Sequence, residues 1–276
     1  MGSELSIDET ALSQGELYTI LTNKKAKGKS GSIVAIIAGT QAEVIIKVLH
    51  KISRRVRYKV TEITLDMANS MKLIVSTCFP KAIQVTDRFH VQRLALDGLQ
   101  DIRIKHRWKA IDLENAAILT ARNTNKPYQE KLMANGDTKR QLLARSRYLL
   151  YKRQIKWTNN QIERSKILFE EYPDIKIAYD LVQSLTRIFD QKLEIEVAYT
   201  KLAHWYNKVE LAGFKAFNTI SRTIQLNYRT ILNYFLNRST NASAESFNAK
   251  VKAFRAQFRG VRNIEFFLFR LTNIYA

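Results

Sequence analysis

The hydrophobic positions of this chain change their period part-way along it. Near the N-terminus they fall in short β-branched runs. Val60–Leu65 (VTEITL) is bounded by polar residues and reads as a buried strand, and Ala82–Thr86 reads as another. Between them Met71, Ile74, Val75 and Phe79 keep helical spacing over Asn69–Phe79, and Pro80 closes the helix. Ahead of this unit, Leu5–Ile7 is a very short strand candidate. Glu16–Thr22 and Ser32–Ala38 flank the lysine- and glycine-rich turn Asn23–Gly31 and predict a hairpin. Glu43–Ile52 is a helix with Val44, Val48 and Leu49 on one face. The predicted order is β-β-β-α-β-α-β, antiparallel strands first and crossover strands later, an α/β arrangement.

From about Leu94 to Arg238 the strand signals vanish. Amphipathic helices follow one another, with breaks near Asn123–Pro127, Asn135–Asp137, Trp157–Asn160, Tyr172–Asp174 and Ala212–Phe214. Trp108, Trp157 and Trp205 are far apart and read as core rather than as a base-stacking platform. Residues 239–276 form a last unit. Ser239, Thr240, Asn241 and Ser243 offer N-caps to a helix whose apolar stripe is Phe247, Val251, Phe254 and Phe258. Glu245 falls on its polar side with Asn248, Lys252, Arg255 and Arg259.

Charge alters this picture more than composition does. Lys and Arg number 45 against 25 acids, a net +20, which points to a polyanionic partner. The excess is uneven: residues 101–170 hold 16 basic and 7 acidic side chains, residues 171–238 only 9 and 7. The first stretch is therefore the expected nucleic-acid face, and the second a packing or subunit-contact part. The single Cys78 excludes an internal disulfide and a cysteine zinc site. No apolar run reaches the roughly 18 residues of a membrane span, and the N-terminus lacks the order of a signal peptide.

Candidate chemistry rests on acids. Asp8 follows the first predicted strand, Asp66 the fourth and Asp87 the fifth, and Glu245 opens the last basic helix. Open α/β sheets gather ligand chemistry outside the carboxyl ends of their strands. Each position also has a plain structural use, because Asp opens turns and caps helices and a first-turn acid suits the helix dipole. Three or four carboxylates without a cysteine cluster are hard oxygen donors suited to Mg²⁺ or Mn²⁺. Two such ions about 4 Å apart can activate an attacking oxygen and stabilise a leaving one in phosphodiester displacement. For Glu245 to join the others, the intervening helices must be an insertion whose ends lie close together. His90, three residues after Asp87, serves packing or capping as readily as catalysis. Gly39 and Gly98 are isolated and form no phosphate loop.

At these residues the chain resembles the DDE transposases of bacterial insertion sequences, of the ISL-three type. SIDETAL is similar to the family's first-strand segment, VTEITLDMANSM to its V-x-x-D-M segment, and FPKAIQVTDRFHVQRL to its FP-x-A-x-x-x-DRFHV segment. STNASAESFNAKVKAFRAQFRGVRNIEFFLFRL resembles its last helix and the G-Y/V-R-N run, and YLLYKRQIKWTNNQ matches its basic middle more loosely. The resemblance implies an RNase-H-like (ribonuclease H-like) mixed-sheet core with a large all-helical insertion. The corresponding boundaries are 1–93 for the first part of the core, 94–238 for the insertion and 239–276 for the helix carrying the last acid. It implies Mg²⁺-dependent (or Mn²⁺-dependent) strand cleavage and strand transfer. Carried over by position, the metal ligands are Asp8, Asp66 and Glu245, and Asp87 with His90 forms a D-x-x-H signature; the second ligand is either Asp66 or Asp87. The implied partners are DNA, both transposon ends and target, and further copies of the chain, with no membrane, in the cytoplasm at the nucleoid. Arg145, Arg147, Lys152, Arg153, Lys252, Arg255 and Arg259 are the expected DNA contacts. The family's zinc-containing N-terminal modules have no counterpart ahead of Asp8, so the chain is expected to be the catalytic part. End recognition would then fall to a separate DNA-binding protein. The competing expectations are an RNase-H-like nuclease or junction resolvase, and a non-catalytic DNA-binding relic of a transposase.

Overall fold

The computed structural model describes residues 1–12, 15, 17–258 and 263–276. They divide into two compact units, Met1–His90 with Asn227–Ala276, and Val91–Leu226.

The first unit is built on a five-stranded mixed sheet in the order β3-β2-β1-β4-β5, with β1 Glu4–Ala11, β2 Leu17–Asn23, β3 Ile33–Ala38, β4 Glu62–Leu65 and β5 Ile83–Thr86. β1–β2 and β2–β3 are antiparallel, while β1–β4 and β4–β5 are parallel. The order is compatible with a ribonuclease-H-like core. The β2–β3 connection needs left-handed backbone, and Gly28 and Gly31 supply it at φ 74° and 83°. Glu16, where the sequence starts the second strand, lies outside the described residues.

The first strand differs from expectation. It runs well past Ile7, so Asp8 lies within β1 and not beyond it. The physical reason is its unequal pairing: β1 pairs with β2 as far as Ala11, but with β4 only over Glu4–Ser6. Past Ser6 one flank of the strand is free, and charged residues can extend it without being buried on both sides.

Side chains of a strand alternate between faces, and each face has its own cover. On one side Leu5, Ile7, Leu21, Ile63 and Leu65 pack with α1 (Ala42–Leu49) and α3 (Asn69–Cys78). The short α2 (Arg54–Arg57) ties this layer down, because the buried Arg57 donates to the carbonyls of Ile52 and Cys78 at 3.0 and 2.5 Å. The free Cys78 is buried there, and burial pushes its thiol pKa up. On the other side Tyr18, Ile20 and Ile33 meet Phe247, Val251, Phe267 and Leu271.

The second unit is helical. It holds most of α4 (Arg88–Asn123), then α5 (Lys139–Arg145), α6 (Arg147–Leu150), α7 (Asn159–Glu171), α8 (Pro173–Asp190), α9 (Ile195–Ala212) and α10 (Lys215–Leu226). Capping boxes start α5 at Thr138 and α7 at Thr158, Pro173 opens α8, and Gly213 closes α9 in the left-handed region. Gly98 permits close helix approach, since a Cβ there would lie 2.8 Å from Ile220 Cδ1. Trp205 is buried as expected, whereas Trp108 is 62% exposed. No helix among the described residues is long and apolar enough to cross a membrane.

Residues 227–238, read from sequence as part of the helical stretch, group with the sheet. α11 (Tyr228–Leu232) and α12 (Tyr234–Asn237) lie along β5: Asn233 donates to the Gln84 carbonyl at 2.8 Å, and Thr230 shares a 2.8 Å hydrogen bond with Thr86. They cover an edge that would otherwise expose unpaired backbone. α13 (Ala242–Gln257) and α14 (Ile264–Tyr275) follow.

A nearly buried ion pair locks the sheet to this returning segment. Lys24 Nζ donates to Glu62 Oε1 at 2.9 Å and also to the Thr64 hydroxyl, and Asn237 donates to Glu62 Oε2 at 3.2 Å. Burial alone would raise the Glu62 pKa, but hydrogen bonds from Ser239, Lys24 and Asn237, with the Lys24 charge, hold it below its ordinary 4.5. A carboxylate depressed in the fold stabilises above its unfolded pKa, and that stability is lost as pH falls through the folded value. Glu62→Ala should therefore cost about 3–5 kcal/mol at neutral pH, as for a broken buried pair. Denaturant titrations from pH 7 downward should show the wild type losing this increment below about pH 4.5, and Glu62→Gln losing much less.

Candidate active site

Two strand registers place the acids. β1 pairs Ser6 with Thr64 of β4, and β4 pairs Leu65 with Thr86 of β5. Continued past the last ladder pairs, these registers set Asp8 opposite Asp66 and Asp66 opposite Asp87. The three acids thus stand in one row across neighbouring parallel strands, Asp8 within β1 and Asp66 and Asp87 just past the ends of β4 and β5. The backbone holds the row: the Asp87 amide donates to the Leu65 carbonyl at 3.0 Å. The Asp66 carboxylate accepts from the Ala68 amide at 2.8 Å at the turn into α3. Asp87 precedes α4, where it accepts from the Phe89 amide at 3.3 Å, and its carbonyl accepts from the His90 amide at 3.2 Å.

Glu245 enters from the first turn of α13. The stripe of Phe247 and Val251 docks on the hairpin face of the sheet and turns Glu245 toward the row. Asp87, His90 and Glu245 each offer a donor atom, and these atoms lie within 4.8 Å of one another. Asp87 is buried and Glu245 exposed. Among the described residues this is the one such group, and neither Asp8 nor Asp66 belongs to it; Asp8 is coupled through charge to His90 and Glu245, and Asp66 to Asp8.

The electrostatics show that coupling. Burial raises the Asp8 pKa, aided by the charge of Asp66 and opposed by the Glu9 amide, His90 and Asn248. Burial raises Glu245, aided by Asp87 and Asp8 and opposed by His90. Glu9 is raised by burial, then by Asp66 and Asp8. Lys72 on α3 is lowered by burial, while Asp66 pulls it the other way. Several acids crowd one end of the sheet with little positive charge among them, so a divalent cation would relieve their mutual repulsion. The oxygen donors of Asp8, Asp66, Asp87 and Glu245 suit Mg²⁺ or Mn²⁺. The imidazole of His90 suits Mg²⁺ poorly and serves better as a partner to the acids.

Sequence reasoning gave Asn248, Glu9 and Lys72 no role. Asn248 lies one turn beyond Glu245, is buried, and donates to Asp8 Oδ2 at 2.7 Å. Its signal was available in the spacing: three residues along a helix return to the same face.

The expected DNA contacts divide. Arg147, Lys152 and Lys252 are exposed. Arg145 is exposed but pairs with Asp137, which Arg164 also binds at 3.0 Å, and Arg153 pairs with Asp190. Arg255 is a correction: it is buried, with its guanidinium 5.1 Å from the Phe267 ring centre. At 100° per residue it stands only about 80° round the helix from Phe247, near the edge of the apolar stripe. Arg259 lies outside the described residues.

Residues 5–271 match the model of a transposase family, the DDE transposases of the ISL-three type. The chain belongs to that family. A search of curated proteins finds no match. Transposases act on DNA, so this is a DNA-processing family. The acid row and Glu245 both fall inside the matched span.

One consequence concerns Asp8. Without Asn248 its half-buried Oδ2 loses a donor, at about 1 kcal/mol. Asn248→Ala should lower the unfolding free energy at pH 7 by that amount. Asn248→Asp, which adds a like charge, should lower it further, and equal stability of the two variants in urea titrations would contradict this.

Proposed function

We propose that this transposase chain carries the catalytic core, an RNase-H-like fold interrupted by the helical unit Val91–Leu226, which cuts DNA and joins the cut end to a target strand. The observation that carries the reading is the row Asp8–Asp66–Asp87 across three neighbouring parallel strands, with Glu245 arriving from α13. Bound Mg²⁺ or Mn²⁺ supplies charge neutralisation and an activated oxygen nucleophile. Asp8, Asp66 and Glu245 are the proposed ligands. Asn248 and the Glu9 amide, donating to Oδ2 and Oδ1 in turn, fix the Asp8 rotamer. His90 offsets the negative charge of Asp8 and Glu245. A second assignment, with Asp87 in place of Asp66, is favoured by the 4.8 Å group of Asp87, His90 and Glu245.

The basic surface of the helical unit would hold phosphates and position DNA without reading bases. Arg147, Lys152 and Lys252 are the proposed contacts, with Arg145 and Arg153 contributing less because acids already engage them. A homo-oligomer would bring two transposon ends together.

A strand-transfer assay on labelled DNA with Mg²⁺ tests the activity. The wild type should give joined products. Asp66→Asn should lower them about a thousandfold, or about 4 kcal/mol in the barrier, and His90→Ala should lower cleavage while its melting temperature holds. Cut products without joining would indicate a nuclease or resolvase, and neither product a binding protein. If Asp87→Asn abolishes activity and Asp66→Asn does not, the second assignment stands.

Metal linkage gives an independent measurement. Since Glu245 is raised by burial and neighbouring acids, Glu245→Gln should match or exceed the wild-type melting temperature in EDTA. With Mn²⁺ at about a hundred times its dissociation constant, the wild type should gain about 2.7 kcal/mol and the variant less. Equal gains would remove Glu245 from the ligand set.

A further inference from the structure

The stretch 171–238 carries little net charge, yet the fold collects its cations. On α9, Lys201, His204 and Lys208 recur at i, i+3 and i+7 and so share one face. Arg187 meets them from α8. Together with Ser184 and Gln191 they line a cavity of about 340 Å³ floored by Ile188 and the buried Trp205. Among the described residues no carboxylate lines it. Lys201 Nζ donates to Gln191 Oε1 at 2.5 Å, and Arg187 Nε donates to the Gln183 carbonyl at 3.3 Å. Among the described residues, Arg187, Lys201 and Lys208 form no ion pair with an acid. The acid of the adjoining groove, Asp180, is engaged by Lys176 at 2.5 Å. By contrast, Arg145 and Arg153, in the strongly basic stretch, already have acid partners.

We propose that the pocket between α8 and α9 is a phosphate-binding site, with Arg187, Lys201 and Lys208 as the anion's partners and His204 and Ser184 at its rim. Three unpaired cations around an acid-free concavity demand an oxyanion. The rigid Trp205 floor, whose indole donates to the Leu181 carbonyl at 2.9 Å, keeps them convergent. The ligand is a phosphate group, carried by a nucleic-acid backbone or by a free phosphate ester. The site is separate from the acid row and needs no metal, so its failure would leave the proposed chemistry untouched.

The test uses the whole chain in EDTA. Anisotropy of a labelled duplex of arbitrary sequence is followed across salt concentrations, and tryptophan emission is followed during pyrophosphate titration at constant ionic strength. Melting temperatures confirm that each variant folds. Arg187→Gln with Lys201→Gln and Lys208→Gln should weaken duplex binding about tenfold or more and reduce the log–log salt slope by about 2–3, near 0.9 per lost phosphate contact. The charge-matched control Lys47→Gln with Lys51→Gln and Lys59→Gln, exposed residues of the first unit outside both the pocket and the basic stretch 101–170, should change affinity less than about twofold. Loss of duplex binding in the pocket variant alone assigns a strand backbone. Loss of the pyrophosphate response with unchanged duplex binding assigns a free phosphate ester. Equal losses in both variants, or no loss of either ligand in the pocket variant, overturn the proposal.

Discussion

Strand register is the constraint on which the candidate site depends. Side chains alternate faces along a strand, so a slip of one residue between β1 and β4 would turn Asp8 away from Asp66. The same slip between β4 and β5 would separate Asp66 from Asp87. Register here is fixed by burial. Leu5, Ile7, Ile63 and Leu65 must face α1 and α3, while Tyr18 and Ile20 of β2 must face α13. Each acid is therefore placed by apolar neighbours that never touch the chemistry.

That placement sets acids against one another. Asp8, Glu9 and Glu245 have pKa values raised by burial and by neighbouring carboxylates, a state the fold tolerates only because other contacts hold it. Part of that support comes from the returning chain. Asn233 and Thr230 fasten α11 and its successor to β5, and Asn237 reaches the buried pair of Glu62 and Lys24. These contacts fix where α13 begins, and hence where Glu245 and Asn248 arrive. The ion pair sits near the start of β4 and the acid row just beyond its end, so one four-residue strand carries both the anchor and the site.

What the sequence revealed follows the range of the interactions involved. The hairpin, the β4–α3–β5 unit and the stripe of Phe247, Val251 and Phe254 were legible, because each is a local periodicity meeting one apolar layer. The length of β1 was not, since its charged half is held by pairing with β2 alone, a partner that lies on no local pattern. The regrouping of residues 227–238 with the sheet was hidden too: short helices read alike whether they cover an edge strand or extend a bundle. At the site, the acids could be named from their positions after strands, but their common row depends on two registers that no single segment contains. Asn248 was visible as a polar residue on the face of Glu245, and its bond to Asp8 only in three dimensions.

Charge shows the same limit most clearly. Summed over a window, basic residues measure the long-range field that draws a polyanion in. They do not say which cations remain available to touch it. Arg145 and Arg153 lie in the most basic stretch and are engaged by Asp137 and Asp190, and Arg255 lies against an aromatic ring. Arg187, Lys201 and Lys208 come from a stretch whose acids nearly cancel them on paper, yet Glu171, Asp174, Asp180 and Asp190 are engaged by Lys139, His106, Lys176 and Arg153. An ion pair formed inside the protein has already given up much of its water and its freedom to reorient, so a phosphate must break it before gaining anything. An unpaired cation on a rigid helix face carries no such cost. Contact with a phosphate backbone is thus decided by which acids the fold leaves beside each cation, a property of helix packing that net charge does not contain.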